Sequence, residues 1–274
     1  MNLLATTVDR FARSQRTTKS TSLIAGGALL LISLLAYGSL VPFLGFYFDD
    51  WPVIWAYKSQ GLIGIHAYFE GSRPFYGYLL SLLFPILGDS TIAWQVVAVS
   101  LRLLCSIALF ILLRSLFPMH LGKAWLAAAF ALLYPGFSSQ PLAITFIPMH
   151  TSFLMLLVSF WTSVTSTHPG RRQIPFFVLS VISAAIGYLI IDYYIGLELV
   201  RPLIIYYALS RSTRHVTGVR TVLAYWLPNA IAFAMYVVWR LFIFKMWPPE
   251  YDGGVLLIKI MSHPISELGG RLLD

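Results

Sequence analysis

Two adjacent carboxylates, Asp49 and Asp50, follow the first long apolar run of this 274-residue chain. They lie within the aromatic segment from Tyr47 to Trp51. Because neighbouring carboxylates repel each other, one of them is expected to hold a proton more tightly than an isolated aspartate does. Such a pair can supply a general base or bind a cation. The same residues can also simply end the apolar run and hydrate the loop that follows, and the sequence leaves both interpretations open.

Other ionisable residues lie within apolar runs, where a charge costs about 2.5–3.5 kcal/mol on membrane-insertion scales. Glu198 and Arg201 are three residues apart and share a helix face, which predicts either an internal ion pair or an arginine that meets an anion and is oriented by Glu198. Arg102 and Arg240 can extend to the membrane interface, or they can bind phosphate, whose oxygens match a guanidinium. His150 is either a histidine satisfied at the interface or a ligand.

The composition is that of a membrane protein. Of the residues, 58% are hydrophobic and 11% are charged, and the mean hydropathy is +0.76. A water-soluble domain carries roughly a quarter charged residues. The net charge of +8 arises from bases in short loops between apolar runs, which indicates membrane topology rather than a nucleic-acid partner. The only cysteine, Cys105, lies in an apolar run, so no intrachain disulfide can form.

The elements that must position these residues are apolar runs near the length of about 20 residues that crosses a bilayer. They predict an all-α, polytopic transmembrane helix bundle of about seven spans. The predicted spans are Ser22 to Phe46, Thr91 to Leu116, Leu121 to Tyr134, Leu142 to Ser166, Ile174 to Ile191, Ile195 to Ser210 and Thr221 to Phe244. Residues 1–21 form a basic cytoplasmic amino terminus, residues 22–245 the transmembrane module, and residues 246–274 an outer tail of what we expect to be a longer protein.

The long first outer loop, residues 47–90, contains the apolar segment Pro74 to Leu87, which is too short to span and predicts a juxtamembrane helix. Of the chain's 11 acids, Asp9 alone falls on the predicted inner side. The inner loops are marked by bases. These bases are Arg114, Lys123, Arg171, Arg172, Arg211, Arg214 and Arg220. The segregation predicts that chemistry or binding takes place on the outer face.

These features occur in a particular order. The aspartate pair is followed by Ser72-Arg73-Pro74, by a short apolar helix ending at Leu87-Gly88, by a span that carries an arginine, and later by the segment from Glu198 to Pro202. This arrangement resembles the amino-terminal module of the GT-C glycosyltransferases, polytopic enzymes that use polyprenyl-phosphate-linked sugars. The resemblance implies a GT-C-like fold, an inverting transfer, and a plasma (inner) membrane location with the active face outside.

The resemblance also implies roles for single residues. Asp49 or Asp50 would be the general base, with Asp49 preferred because it follows Phe48. Residues near the substrate or its phosphate would be Arg73, Arg102, Glu198, Arg201, Arg240 and His150. The implied partners are a lipid-linked sugar donor, a glycan, lipid or protein acceptor, and membrane lipids, with no nucleic acid. The second outer loop, residues 136–140, has none of the acids that metal-dependent members carry. We therefore expect no cofactor, a divalent cation at Asp49 and Asp50 being the alternative.

Two other functions fit parts of the sequence. A transporter or flippase for a lipid-linked or anionic substrate also places charges within the membrane, but it favours the midplane and repeated halves. The charges here lie mainly on the outer side, and we detect no repeat. A non-catalytic membrane assembly factor would tolerate the neutralisation of Asp49 and Asp50.

Overall fold

The computed structural model describes residues 22–134, 142–168, 173–212 and 218–246, and the single residues 254, 255, 258 and 262. Within these ranges the chain is helical and has no β-strand. The α-helices are α1 (22–36), α2 (Asp50–Glu70), α3 (Pro74–Leu87), α4 (Thr91–Leu116), α5 (Leu121–Leu133), α6 (Ala143–Ser166), α7 (Gln173–Ile190), α8 (Arg201–Ser212) and α9 (Val219–Val238). Short 3₁₀ segments cover Gly38–Phe43, Pro118–His120 and Asp192–Val200, and a π turn covers Trp239–Ile243.

Five helical segments are long and apolar enough to cross a membrane. They are Ser22–Phe43, Thr91–Leu116, Ala143–Ser166, Gln173–Ile190 and Val219–Ile243. This confirms the prediction of an all-helical bundle of membrane-protein type for the described part of the chain. The predicted amino terminus, the outer turn at 135–141, the inner-loop bases Arg171, Arg172 and Arg214, and most of the tail after 246 lie outside the described residues.

Two of the seven predicted spans correspond to α-helices that are shorter than the roughly 20 residues that cross a bilayer. The third predicted span is α5, which has 13 residues. The sixth was expected to begin at Ile195, but Asp192–Val200 is a 3₁₀ segment and α8 adds only 12 residues. Helix bounds were predicted more closely elsewhere, since the structure confirms α3 at Pro74–Leu87 and α4 at Thr91–Leu116.

The bundle is built around α6, which packs against α4 on one side and α7 on the other. A close approach makes the second contact possible, because a Cβ atom at Gly187 would lie 3.1 Å from the carbonyl oxygen of Ser152. The Ser152 hydroxyl donates a hydrogen bond of 2.8 Å to the Gly187 carbonyl. Small residues at such crossings let two backbones approach and pair their polar groups. The contact fixes α7, and with it the residues that follow Ile190.

The first outer loop is a packed pair of helices. α2 bends at Gly61, which has a φ of 64°. Glycine adopts such a positive φ with little conformational strain. α3 then packs on α2 through stacked rings, the Tyr57 and Phe84 centroids being 4.4 Å apart. Buried side chains of α2, α3, α4 and α6 form one apolar core, which includes Leu80 and Trp94. The predicted juxtamembrane segment is therefore part of the folded body, and α2 begins at the aspartate pair.

The two ends of the bundle differ in charge. At one end Arg114 donates a hydrogen bond to the Ser22 hydroxyl, and Arg211 donates one to the Leu116 carbonyl. The opposite end carries all the described acids except Glu198, which is buried inside the bundle. The acids at that end are Asp49, Asp50, Glu70, Asp89 and Asp192. The fold therefore gathers separate acidic segments of the sequence at one end.

Candidate functional site

Asp50 is the first residue of α2 and is fully buried. Its Oδ1 atom accepts hydrogen bonds of 3.0 Å from both the backbone N–H and the hydroxyl of Thr145. Thr145 is in the first turn of α6, where backbone N–H groups lack partners within the helix. Leu142, at the cap position, has no polar side chain to fill that role. Asp50 therefore caps α6 from a different helix, with its negative charge at the favourable end of the helix dipole.

The second carboxylate oxygen of Asp50 has a different environment. Oδ2 is buried and has no hydrogen-bond partner among the described residues. Burial raises the pKa of Asp50 above its usual value, and the hydrogen bonds from Thr145 oppose that rise. In this conformation the carboxyl group is enclosed by protein and is not open to a substrate.

Asp49 is exposed, in contrast to its neighbour. The residue before it, Phe48, has φ = 39°, a left-handed conformation that is uncommon for a residue with a side chain. Phe48 is 83% exposed and Trp51 is 56% exposed, so exposed aromatic rings flank the aspartate. Strained backbone of this kind persists where the surrounding structure holds it, often at functional sites. Of the two aspartates, Asp49 is the one that a substrate can reach.

Tyr76 of α3 connects the aspartates to an arginine. Its hydroxyl donates a hydrogen bond of 2.7 Å to the Thr145 carbonyl. Burial raises the pKa of Tyr76, the charges of Asp50 and Asp49 raise it further, and Arg73 opposes them. Asp49, Asp50 and Arg73 therefore lie within electrostatic reach of a single buried hydroxyl.

A narrow cleft with two guanidinium groups lies beside Arg73. The Nη2 atom of Arg73 donates a hydrogen bond of 3.2 Å to the Tyr193 hydroxyl, while its Nε is buried without a partner among the described residues. Arg240 forms an ion pair of 3.2 Å with Asp192. The cleft is lined by Ser72, Arg73, Pro74, Leu189, Ile190, Ile191, Asp192, Tyr236, Trp239 and Arg240. Its cavity of about 10 Å³ has room for about one water molecule.

Glu198 and Arg201 form a fully buried ion pair of 2.6 Å. Glu198 also accepts hydrogen bonds from the Tyr188 hydroxyl at 2.5 Å and the Trp226 indole at 3.1 Å. Arg201 donates to the Ser163 hydroxyl at 2.7 Å. Of the two alternatives that the sequence left open, the structure shows the internal ion pair, with neither side chain accessible.

Arg102 and His150 lie in the wall of two adjoining cavities. Arg102 is 7% exposed and donates hydrogen bonds to the carbonyls of Leu132 at 2.8 Å and Tyr134 at 3.4 Å. His150 Nδ1 lies 2.8 Å from the Phe146 carbonyl oxygen. Arg102 and His150 therefore line one pair of cavities, while Arg73 and Arg240 line a separate cleft.

Comparison with protein-family models, curated proteins and solved structures gave no match. Nor do the described residues include a cluster of three or more His, Cys, Asp or Glu residues that could hold a metal ion.

Sequence reasoning missed three members of the site, Thr145, Tyr76 and Tyr193. Thr145 stands in a predicted span with no charge or motif to single it out, and it lies 95 residues from Asp50. Tyr76 follows Arg73 by three residues, and that spacing was the one available signal. Tyr193 falls between two predicted spans; it accepts a hydrogen bond from Arg73, and its neighbour Asp192 pairs with Arg240.

Proposed function

We propose that the chain is a membrane glycosyltransferase, or the amino-terminal module of one. It transfers a sugar from a polyprenyl-phosphate-linked donor to an acceptor on the outer face of the membrane. The observation that carries this proposal is an exposed carboxylate, Asp49, at the same end of an apolar bundle as a cleft with two guanidinium groups, Arg73 and Arg240. A base and an anion-binding group are what the displacement of a lipid phosphate from a sugar requires.

In the proposed reaction, Asp49 accepts a proton from a hydroxyl or amine of the acceptor. The deprotonated atom attacks C1 of the sugar from the side opposite the phosphate. The bond between C1 and the phosphate oxygen breaks, the oxygen keeps the electron pair, and the configuration at C1 inverts. Asp50 touches no substrate in this scheme. It positions Asp49 by fastening the start of α2 to the start of α6.

The two guanidinium groups stabilise the negative charge that develops on the departing phosphate. The Nε of Arg73 is buried and has no hydrogen-bond partner among the described residues, so its binding to phosphate requires the cleft to open. Arg240 is occupied by Asp192, and the cleft has room for about one water molecule. Binding of a phosphate therefore requires the Arg240–Asp192 ion pair to open. A guanidinium binds phosphate oxygens in a bidentate manner, which favours this exchange of partners.

The proposal includes an orientation. The acid-rich end faces outward and the end with Arg114 and Arg211 faces the cytoplasm, in agreement with the excess of bases in cytoplasmic loops. We place the protein in the plasma (inner) membrane and retain a count of about seven spans, with α5 and the path through α8 as the two short crossings.

The buried pair Glu198–Arg201 is the feature that would favour a transporter instead, because such proteins carry charges within the membrane. Here the pair is internally neutralised, and Glu198 accepts hydrogen bonds from Tyr188 and Trp226. It therefore supports a structural role, and no second function is proposed.

The test is transfer of a labelled sugar from a polyprenyl-phosphate donor to endogenous acceptors in membranes that contain the full-length protein. We expect Asp49→Asn to abolish transfer at unchanged abundance. Asp89→Asn is the matched control, since Asp89 is an exposed acid at the same end of the bundle. Transfer at the wild-type rate by Asp49→Asn would rule out Asp49 as the base.

A further inference from the structure

An open apolar groove lies at the end of the bundle opposite the aspartates. The short 3₁₀ segment Pro118–His120 separates the end of α4 from the start of α5, and the groove lies between the two helices. Its walls are formed by Leu113, Phe117, His120, Lys123, Ala124 and Ala127. The volume is about 350 Å³, which is within the range of about 300–1,000 Å³ that is usual for ligand pockets.

The polar residues of the groove are one lysine and one histidine. Lys123 and His120 are exposed, and Lys123 has no ion pair among the described residues. Arg114 and Arg211 belong to the same end of the bundle, through their bonds to Ser22 and Leu116. The described acids are at the opposite end or, like Glu198, buried inside the bundle. Among the described residues, this end therefore carries bases without acids, which favours the binding of an anion.

We propose that the groove binds an anionic phospholipid, with one acyl chain against the apolar walls and the head-group phosphate at Lys123 and His120. Two observations select this occupant. The walls other than Lys123 and His120 are carbon side chains on helices of a membrane-type bundle, which suits a hydrocarbon chain. Lys123 and His120 lie just beyond the end of the apolar helix α4, which is the level of the head groups. The inference does not depend on the proposed glycosyltransferase activity.

The experiment is native mass spectrometry of the full chain, released from nanodiscs of phosphatidylglycerol or of phosphatidylcholine with identical acyl chains. We expect one retained phosphatidylglycerol and no retained phosphatidylcholine. Lys123→Gln should weaken phosphatidylglycerol binding about fivefold, the effect expected for one cation near the membrane surface. Ala127→Phe should fill the groove and abolish retention, and because Ala127 is exposed this change leaves the helix packing in place.

Arg220→Gln is the matched control. Arg220 is an exposed base at the start of α9 and does not line the groove. Retention close to the wild-type value in Arg220→Gln, with loss in the two groove variants, supports a specific site. Equal retention of both lipids, or equal losses in Lys123→Gln and Arg220→Gln, would show only diffuse attraction to the membrane and would overturn the proposal.

Discussion

Asp50 and Thr145 lie 95 residues apart in the sequence and are joined by two hydrogen bonds of 3.0 Å through one carboxylate oxygen. The contact fastens the start of the first outer helix to the start of the central helix of the bundle. It also explains why two adjacent aspartates have different environments. The enclosed one holds the fold together at this point, and the exposed one next to it is held in a fixed position.

Asp50→Ala should lower the free energy of unfolding by about 1–2 kcal/mol, because it removes a helix cap and leaves the Thr145 N–H without its acceptor. Thermal unfolding in detergent would measure the loss. Asp89→Ala is the comparison, since Asp89 and Lys58 form an exposed ion pair that contributes little. A similar loss in both variants would mean that the cap has no special role.

The stability of the wild-type protein should also depend on pH through Asp50. Burial raises the pKa of Asp50 in the folded protein, so the folded state binds this proton more tightly than the unfolded state does. Stability that depends on the protonated form is present at low pH and is lost as pH rises through the raised pKa. Relative to Asp50→Asn, the wild type should therefore lose melting temperature as pH rises from about 4 through the raised pKa. A constant difference between the two proteins over that range would contradict this.

Glu198→Gln should destabilise the bundle strongly, by about 3–5 kcal/mol, because Arg201 would remain buried with its charge uncompensated. Tyr188→Phe removes one hydrogen bond from the same carboxylate and should cost about 1 kcal/mol. The free energies can be measured by denaturant titration in detergent. The double variant Glu198→Leu with Arg201→Met removes both charges and should recover much of the loss. If the double variant has a lower free energy of unfolding than Glu198→Gln, the ion pair stabilises the fold by more than the neutralisation of its two charges.

Two glycines in helices should respond to alanine in opposite directions. A Cβ atom at Gly64 would lie 2.2 Å from the Ala56 carbonyl oxygen, so Gly64→Ala should cost about 1–3 kcal/mol and disturb the bend in α2. Gly122 in α5 has nothing within 4 Å of that position, and Gly122→Ala should add about 0.5 kcal/mol by stiffening the unfolded chain. The melting temperature should fall in Gly64→Ala and rise in Gly122→Ala. A higher melting temperature in Gly64→Ala would mean that the bend in α2 can relax to admit the added methyl group.

Arg73→Gln and Arg240→Gln should each lower kcat/KM for sugar transfer by about 10²-fold or more, the scale of removing one donor from a developing oxyanion. Arg114→Gln provides the control, because Arg114 bonds to Ser22 at the opposite end of the bundle. Abundance in the membrane must be matched in all three. Unchanged kcat/KM in both cleft variants would remove the cleft from the mechanism, even if Asp49 proved to be the base.

Part of this architecture follows from local sequence. The bounds of α3 and α4 are marked by Pro74, Gly88 and Ser90, which start or end helices by their own backbone chemistry or hydrogen bonding. The spacing of three residues between Glu198 and Arg201 places them on one face of a helix, so the sequence predicted their ion pair as one of two alternatives. The segregation of acids and bases likewise needed only the positions of the apolar runs.

What the sequence could not show depends on distant contacts. Whether Asp49 or Asp50 is enclosed is decided by Thr145, which only folding brings to the start of α2. Composition does not distinguish i→i+3 from i→i+4 hydrogen bonding, so the sequence did not show that Asp192–Val200 is a 3₁₀ segment rather than the start of an α-helix. The pairing of Arg240 with Asp192 similarly joins residues on two elements that are 48 positions apart.

The long 3₁₀ segment has a mechanical consequence for α8. A 3₁₀ helix rises about 2.0 Å per residue and an α-helix about 1.5 Å. Moving the junction between the two helix types by one residue would advance α8 by about 0.5 Å and rotate it by about 20°. Glu198 and Arg201 lie on either side of that junction. Their ion pair therefore fixes the position of the junction, and with it the axial position and rotation of α8.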